Sequence, residues 1–187
     1  MKSEFINFKK NIIFGSEFQL NFYSEIQELF IDGTFKICPK NYYQLVNIFG
    51  FNKNKNFYMP LNYILLTSKN EELYTEAFGH LIRLIQSHTN IKSFYDVKIT
   101  ADFELGLRKS IKKVFSGCLL NGCFFHYCKA IWKKIKALHL FKKDNRLNTL
   151  IIAFILKAYP FIKDKNREDY CKKISDFCES LKGNYIK

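Results

Sequence analysis

The sequence predicts an α/β fold, a mixed sheet with helices packed on its faces. Three observations lead there. Strand-like stretches follow one another with short links between residues 29 and 66. Beyond them, strand-like and helix-like stretches alternate. The last part of the chain reads as helix throughout. At 187 residues and 48% hydrophobic content the chain can bury a sizeable core, and this composition excludes a disordered chain.

The first strand is Leu29–Pro39. Leu29, Ile31, Phe35 and Ile37 alternate with Asp32, Thr34 and Lys36, the period-2 pattern of a strand with one face on a core. Tyr42–Phe51 and Tyr58–Leu66 are rich in aromatic and branched residues. With Leu29–Pro39 they predict an antiparallel meander. Ser68 to Glu71 fits a capping box, and Leu73, Ala77, Leu81 and Leu84/Ile85 predict an amphipathic helix over Glu71–Gln86. Tyr95–Asp102 is the fourth strand, with Val97, Ile99 and Ala101 on one side and Asp96, Lys98, Thr100 and Asp102 on the other. Leu105–Phe115 is a helix with Leu107, Ile111, Val114 and Phe115 inward. Cys118–Phe125 is a fifth strand, broken by Asn121-Gly122. Helices follow over Tyr127–Leu140, with a buried stripe of Ile131, Ile135 and Leu138, and over Asn145–Tyr159, apolar nearly all round and so expected to be buried. Pro160 stops the latter. Arg167–Leu181 is the last helix, with Tyr170, Ile174, Phe177, Cys178 and Leu181 on one side and Gly183 as its stop. Residues 1–28 have no clear period and read as a lead-in segment. Residues 29–141 form the core and residues 142–187 a helical region.

Two acids stand out. Asp32 lies on the polar side of the first strand, beside Gly33, and sheet packing requires no acid there. The glycine would let a metal or a nucleic-acid backbone come close. Asp102 ends the fourth strand in a matching setting. In a mixed sheet of this order the first and fourth strands can be neighbours, which would bring the two carboxylates together. Converging carboxylates repel or hold a cation, and oxygen-only ligands suit Mg²⁺ or Mn²⁺.

The formal net charge is +13, from 30 Lys+Arg against 17 Asp+Glu. Such an excess favours a polyanionic partner, although a Lys-, Asn- and Ile-rich composition also reflects AT-rich coding. The six cysteines lack the spacing of a secreted disulfide scaffold. Met1–Lys10 is polar and charged, unlike a signal peptide. No apolar run is long enough for a membrane span, so no membrane partner is expected.

The residues Ile31-Asp32-Gly33-Thr34-Phe35-Lys36, Tyr43-Gln44-Leu45, Pro60, Thr100-Ala101-Asp102-Phe103-Glu104 and Gly122-Cys123-Phe124-Phe125-His126 occur in that order. Together they resemble the Mutator-like (MULE) transposase domain from about Phe30 to Leu140. The resemblance implies an RNase H-like fold with a five-stranded sheet and an Asp-Asp-Glu catalytic set that cuts and joins DNA with two divalent ions, Mg²⁺ or Mn²⁺. It implies that Asp32 and Asp102 are the first two catalytic acids and metal ligands. Two ions about 4 Å apart activate an attacking water or 3′-hydroxyl and stabilise the leaving oxygen. Glu104 belongs to the motif without a catalytic role. Cys123 and His126 match the family's Cys-x-x-His element. A structural zinc needs about four protein ligands, so the element reads as a core Cys and a His capping the strand–helix junction rather than half of a zinc site.

The family's third acid lies further on, in an Asn-Asn-x-x-Glu-like stretch beyond a Trp-Asn element. Neither occurs here, and the end of the chain resembles the region just before them. The resemblance thus implies a chain truncated before its third catalytic acid. Glu168 and Glu179 are available, but both lie on an amphipathic helix where solvated acids are ordinary. Lys129, Lys133 and Lys136 form a basic stripe at helical spacing. With Lys36 they are candidate phosphate contacts, and Trp132 stands among them for stacking. Two readings remain open: a transposase catalytic core, or a catalytically dead or domesticated remnant that binds DNA without cutting. DNA is the expected partner, with self-association beside it, and the resemblance implies a nuclear location.

Overall fold

The computed structural model describes residues 3–8, 10–140 and 146–183. It is an α/β chain with one mixed sheet of seven strands. Strands β1 (Ser3–Phe8) and β2 (Asn11–Ser16) form a hairpin, followed by a short helix α1 (Glu17–Asn21) and a 3₁₀ turn at Phe22–Glu25. Then come β3 (Glu28–Thr34), β4 (Gln44–Asn52), β5 (Phe57–Leu66), α2 (Glu71–His88), β6 (Lys98–Ala101), α3 (Leu105–Val114) and β7 (Leu119–Gly122). Helices α4 (Phe124–Ala137), α5 (Arg146–Ala158) and α6 (Arg167–Gly183) complete the chain. By packing, the chain forms two compact units, Met1–Cys123 and Phe124–Lys187.

The strand order is β1-β2-β5-β4-β3-β6-β7. The expected meander is present: β3, β4 and β5 are antiparallel neighbours. β6 joins β3 in parallel and β7 joins β6 in parallel. The sheet has seven strands rather than the expected five because the first residues are not a plain lead-in. Their hairpin pairs with β5 through Ile12↔Leu65, Ile13↔Ile64 and Phe14↔Tyr63. Buried Asn11 secures it: its Nδ2 donates to the Phe8 carbonyl at 3.1 Å, and its Oδ1 accepts the Thr67 amide at 2.7 Å.

One face of the sheet is covered by α2 and α3. Leu29, Ile31, Val46, Ile48, Ile64, Ile99 and Ala101 point into a core shared with Tyr74, Phe78, Leu81, Ile85, Leu107, Ile111 and Phe115. Phe115 meets Phe78 and Phe94 edge-on, with ring centroids 5.5 and 5.0 Å apart. Burying side chains of this size contributes about 1.5–3 kcal/mol each. The opposite face carries a cluster of Phe30, Phe51 and Tyr58, the last two stacked at 4.3 Å.

Several element limits differ from the sequence reading, each for a local reason. β3 ends at Thr34, not Pro39. The chain then turns, with the Cys38 amide bonded to the Phe35 carbonyl and the Tyr42 amide to that of Pro39. Phe35 and Ile37 are therefore exposed instead of core. The cap of α2 is Asn70, whose side chain accepts the Leu73 amide at 2.8 Å; Ser68 lies outside the helix. The buried stripe of α2 is Tyr74, Ala77, Phe78, Leu81 and Ile85, with Leu73 and Leu84 only half-buried. β7 runs through Asn121-Gly122 rather than breaking there, and Phe124 and Phe125 belong to α4.

In the second unit, Ile135 is the buried residue of α4, while Leu138 is exposed. α5 is not fully buried: Leu147 and Phe154 are about two-thirds exposed, and Thr149 and Ala153 take the inward side. The Tyr127 hydroxyl donates to the Leu156 carbonyl at 2.7 Å and that of Tyr170 to the Ile155 carbonyl at 2.8 Å, tying α4 and α6 to α5. Pro160 sits in a 3₁₀ turn that ends α5. Asn145, the expected start of that helix, lies outside the described residues, as do residues 184–187; α6 continues through Gly183.

Candidate active site at the strand ends

The register of two parallel strands builds the site. β3 and β6 pair Leu29↔Ile99, Phe30↔Thr100 and Ile31↔Ala101. Ile31 and Ala101 are each 1% exposed, on the core side. Asp32 and Asp102 are the next residues along each strand. Neighbouring strands run about 4.8 Å apart and successive side chains change face, so a continuation of the register past its last pair would set the two acids side by side, on the face opposite Ile31 and Ala101. Asp32 is exposed and Asp102 half-buried. On the other flank of Asp32 stands Asn47 of β4, whose Nδ2 donates to Thr34 Oγ1 at 3.1 Å. Asp102 Oδ1 accepts the Phe103 amide at 2.6 Å, which fixes the chain where β6 ends.

Behind the pair runs a polar relay. Gln44 of β4 is fully buried; its Nε2 donates to Tyr74 Oη at 2.5 Å. The Tyr74 hydroxyl donates to Glu104 Oε1 at 3.1 Å. Glu104 is the residue that caps α3, and its own side chain makes no capping bond. Burial pushes the Tyr74 phenol above its ordinary range, and the charges of Glu104 and Asp102 push it the same way. The phenol therefore stays a donor. Gln44 Oε1 is buried with no hydrogen-bond partner and lies 3.0 Å from where a Cβ on Gly33 would be. Gly33 thus makes room for Gln44 within the core, a different role from admitting a metal or a nucleic-acid backbone.

Sequence reasoning misses Gln44 and Tyr74 as neighbours of the site. A polar residue on a strand reads as solvent-facing, and Tyr74 lies between Leu73 and Ala77, the positions that helical spacing assigns to the inner stripe. The signal available was Gln44 within the Tyr43-Gln44-Leu45 motif.

The remaining site residues are distributed as follows. Lys36 is exposed in the turn after β3. Cys123 follows β7, its amide bonded to the Ala101 carbonyl at 2.8 Å. His126 lies in α4. Lys129, Lys133 and Lys136 are exposed on α4, one turn apart. Glu168 and Glu179 are exposed on α6. Among the described residues, no group of three or more His, Cys, Asp or Glu side chains is placed to hold a metal ion.

The donor chemistry of the pair itself suits a hard cation. Mg²⁺ keeps several waters and takes one or two carboxylates plus phosphate oxygens from a substrate. Asp32 and Asp102 supply two carboxylates on a rigid frame.

Residues 28–130 match the family model of the MULE transposase domain. The chain belongs to this family. A search of curated proteins returns no match. The MULE transposase match begins at the first residue of β3 and ends within α4. It therefore takes in both aspartates, the relay and the Cys-x-x-His element, and leaves the β1–β2 hairpin outside. No helix among the described residues is long and apolar enough to cross a membrane.

Proposed function

We propose that this chain is the catalytic core of a MULE-type transposase, an RNase H-like domain for metal-dependent DNA strand cleavage and transfer, acting in the nucleus. The observation that carries the reading is the parallel register Ile31↔Ala101, with Asp32 and Asp102 the next residue along each strand, in a chain of this family. The order β5-β4-β3-β6-β7 supports the RNase H-like assignment of the sheet.

Asp32 and Asp102 are the residues that would hold Mg²⁺ or Mn²⁺. The ion supplies Lewis-acid stabilisation of charge on a phosphate and lowers the pKa of a bound water. The protein's part is positional. Two adjacent strands fix the carboxylates, and the Phe103 amide orients Asp102. Charge supports DNA as the partner. Residues 124–187 hold fifteen Lys/Arg against six Asp/Glu, so +9 of the +13 lies in the helical unit. The stripe of Lys129, Lys133 and Lys136 is presented to solvent there, where it can follow phosphates.

Mn²⁺ binding followed by electron paramagnetic resonance tests the reading. Wild type is expected to bind, and Asp32→Asn and Asp102→Asn to lose it. Equal binding by all three would sink the site. DNA binding that survives in wild type without metal binding would favour the second reading, a remnant that holds DNA without cutting.

A further inference from the structure

The ring of Phe103 and Gly122 have no part in the chemistry above, and the fold brings them together. Phe103 follows Asp102 directly, yet it is 52% exposed. Its ring lies so close over β7 that a Cβ on Gly122 would fall 2.4 Å from Cζ and 2.7 Å from Cε1. Only a glycine permits that approach, because real Cβ contacts are not this short. Above the ring lies Arg108 of α3, with Cζ 5.6 Å from the ring centroid. Arg108 is itself held: its Nη1 donates to the Asn121 carbonyl, a neutral acceptor, at 3.1 Å. A missing side chain on β7 and a pinned guanidinium on α3 thus hold an exposed ring immediately beyond Asp102.

An apolar ring left half in water gains little from burial. A fixed aromatic face beside a cation is what an unpaired nucleobase stacks on. A second exposed aromatic pair is built alike. Phe35 and Tyr43, beyond the ends of β3 and β4, meet edge-on at 5.7 Å and are about half exposed. Lys69 Nζ lies 5.8 Å from the Tyr43 ring centroid.

We infer that the Phe103–Arg108 platform binds an unpaired base of DNA at the end of β6, one residue past Asp102, so that the substrate class is a duplex with a frayed or single-stranded end. This rests on the DNA reading above and deepens it. Every aromatic used has a cation within 6 Å or touches one that does. Charge complementarity thus favours nucleic acid over an apolar protein segment.

The test compares two probes without divalent metal: a fully paired duplex, and the same duplex with a short unpaired 3′ end carrying 2-aminopurine. Wild type is expected to bind the unpaired end about tenfold more tightly, the gain of one stacked base, and to quench 2-aminopurine fluorescence. Phe103→Ala is expected to abolish both the preference and the quenching while keeping affinity for the paired duplex; Phe103→Trp is expected to restore them. Gly122→Ala, which pushes the ring off β7, is expected to weaken the preference, with circular dichroism confirming that it folds. No preference in wild type, or a preference unchanged in Phe103→Ala, overturns the inference while leaving paired-duplex binding, and so the DNA reading, in place. A chain that binds neither probe overturns both.

Discussion

The hydroxyl of Tyr74 donates to the carboxylate of Glu104 across 3.1 Å, joining α2 to the residue that caps α3. Gln44 completes the connection from β4. Tyr74→Phe keeps the ring in the core but leaves Gln44 Nε2 and Glu104 without this partner. The expected cost is about 1–2 kcal/mol in urea unfolding. Glu104→Gln, whose amide oxygen can still accept, is expected to cost less than Glu104→Ala.

The same buried phenols make alkaline pH destabilising. Tyr23 is 2% exposed, and its hydroxyl donates to Asn62 Oδ1 at 2.8 Å. Burial raises both Tyr23 and Tyr74 above the ordinary phenol value of 10.0. A group whose folded pKa is raised contributes stability that is complete below its unfolded pKa and is lost as pH rises through the folded one. Stability is therefore expected to fall above about pH 10, by roughly 1.4 kcal/mol per pH unit for each phenol. Tyr23→Phe should flatten that decline by one such share in denaturant titrations between about pH 9 and 11. An identical slope in the variant would refute the assignment.

Gly33→Ala would place a Cβ 3.0 Å from Gln44 Oε1. The side chain of Gln44 must then give way, and its bond to Tyr74 is strained. A double-mutant cycle separates this from a direct effect on Asp32: in Gln44→Ala, the Gly33→Ala penalty is expected to disappear. A coupling energy near zero would break the link between the two residues.

On α4, neutralising Lys129, Lys133 and Lys136 to Gln should lower the slope of log K against log salt for duplex DNA by about 0.9 for each phosphate that these lysines neutralise. An unchanged slope would remove the stripe from the DNA interface.

The aspartates were legible because period-2 alternation reports a strand's two faces locally, and a carboxylate on an otherwise well-patterned strand is conspicuous. Their adjacency needed topology: the parallel pairing of β3 with β6 follows from the order of strands and helices, not from either stretch alone. The relay was hidden, since Gln44 and Tyr74 are thirty residues apart and neither breaks its local pattern. α5 misled for the opposite reason. An all-round apolar helix reads as buried, yet Leu147 and Phe154 face solvent. The β1–β2 hairpin escaped notice because its turn lacks the usual Gly or Asn. Lys10 takes the left-handed conformation there, with φ of 66°, and composition does not announce a turn built on lysine.

That hairpin has a practical consequence. Through Ile12, Ile13 and Phe14 it occupies the outer side of β5. A protein trimmed to the family limits at residues 28–130 would leave those backbone donors and acceptors bare along a long, apolar strand. An open edge of this kind templates pairing with other molecules. The trimmed domain should therefore aggregate or swap strands more readily than the longer chain, and the hairpin is the cover of that edge.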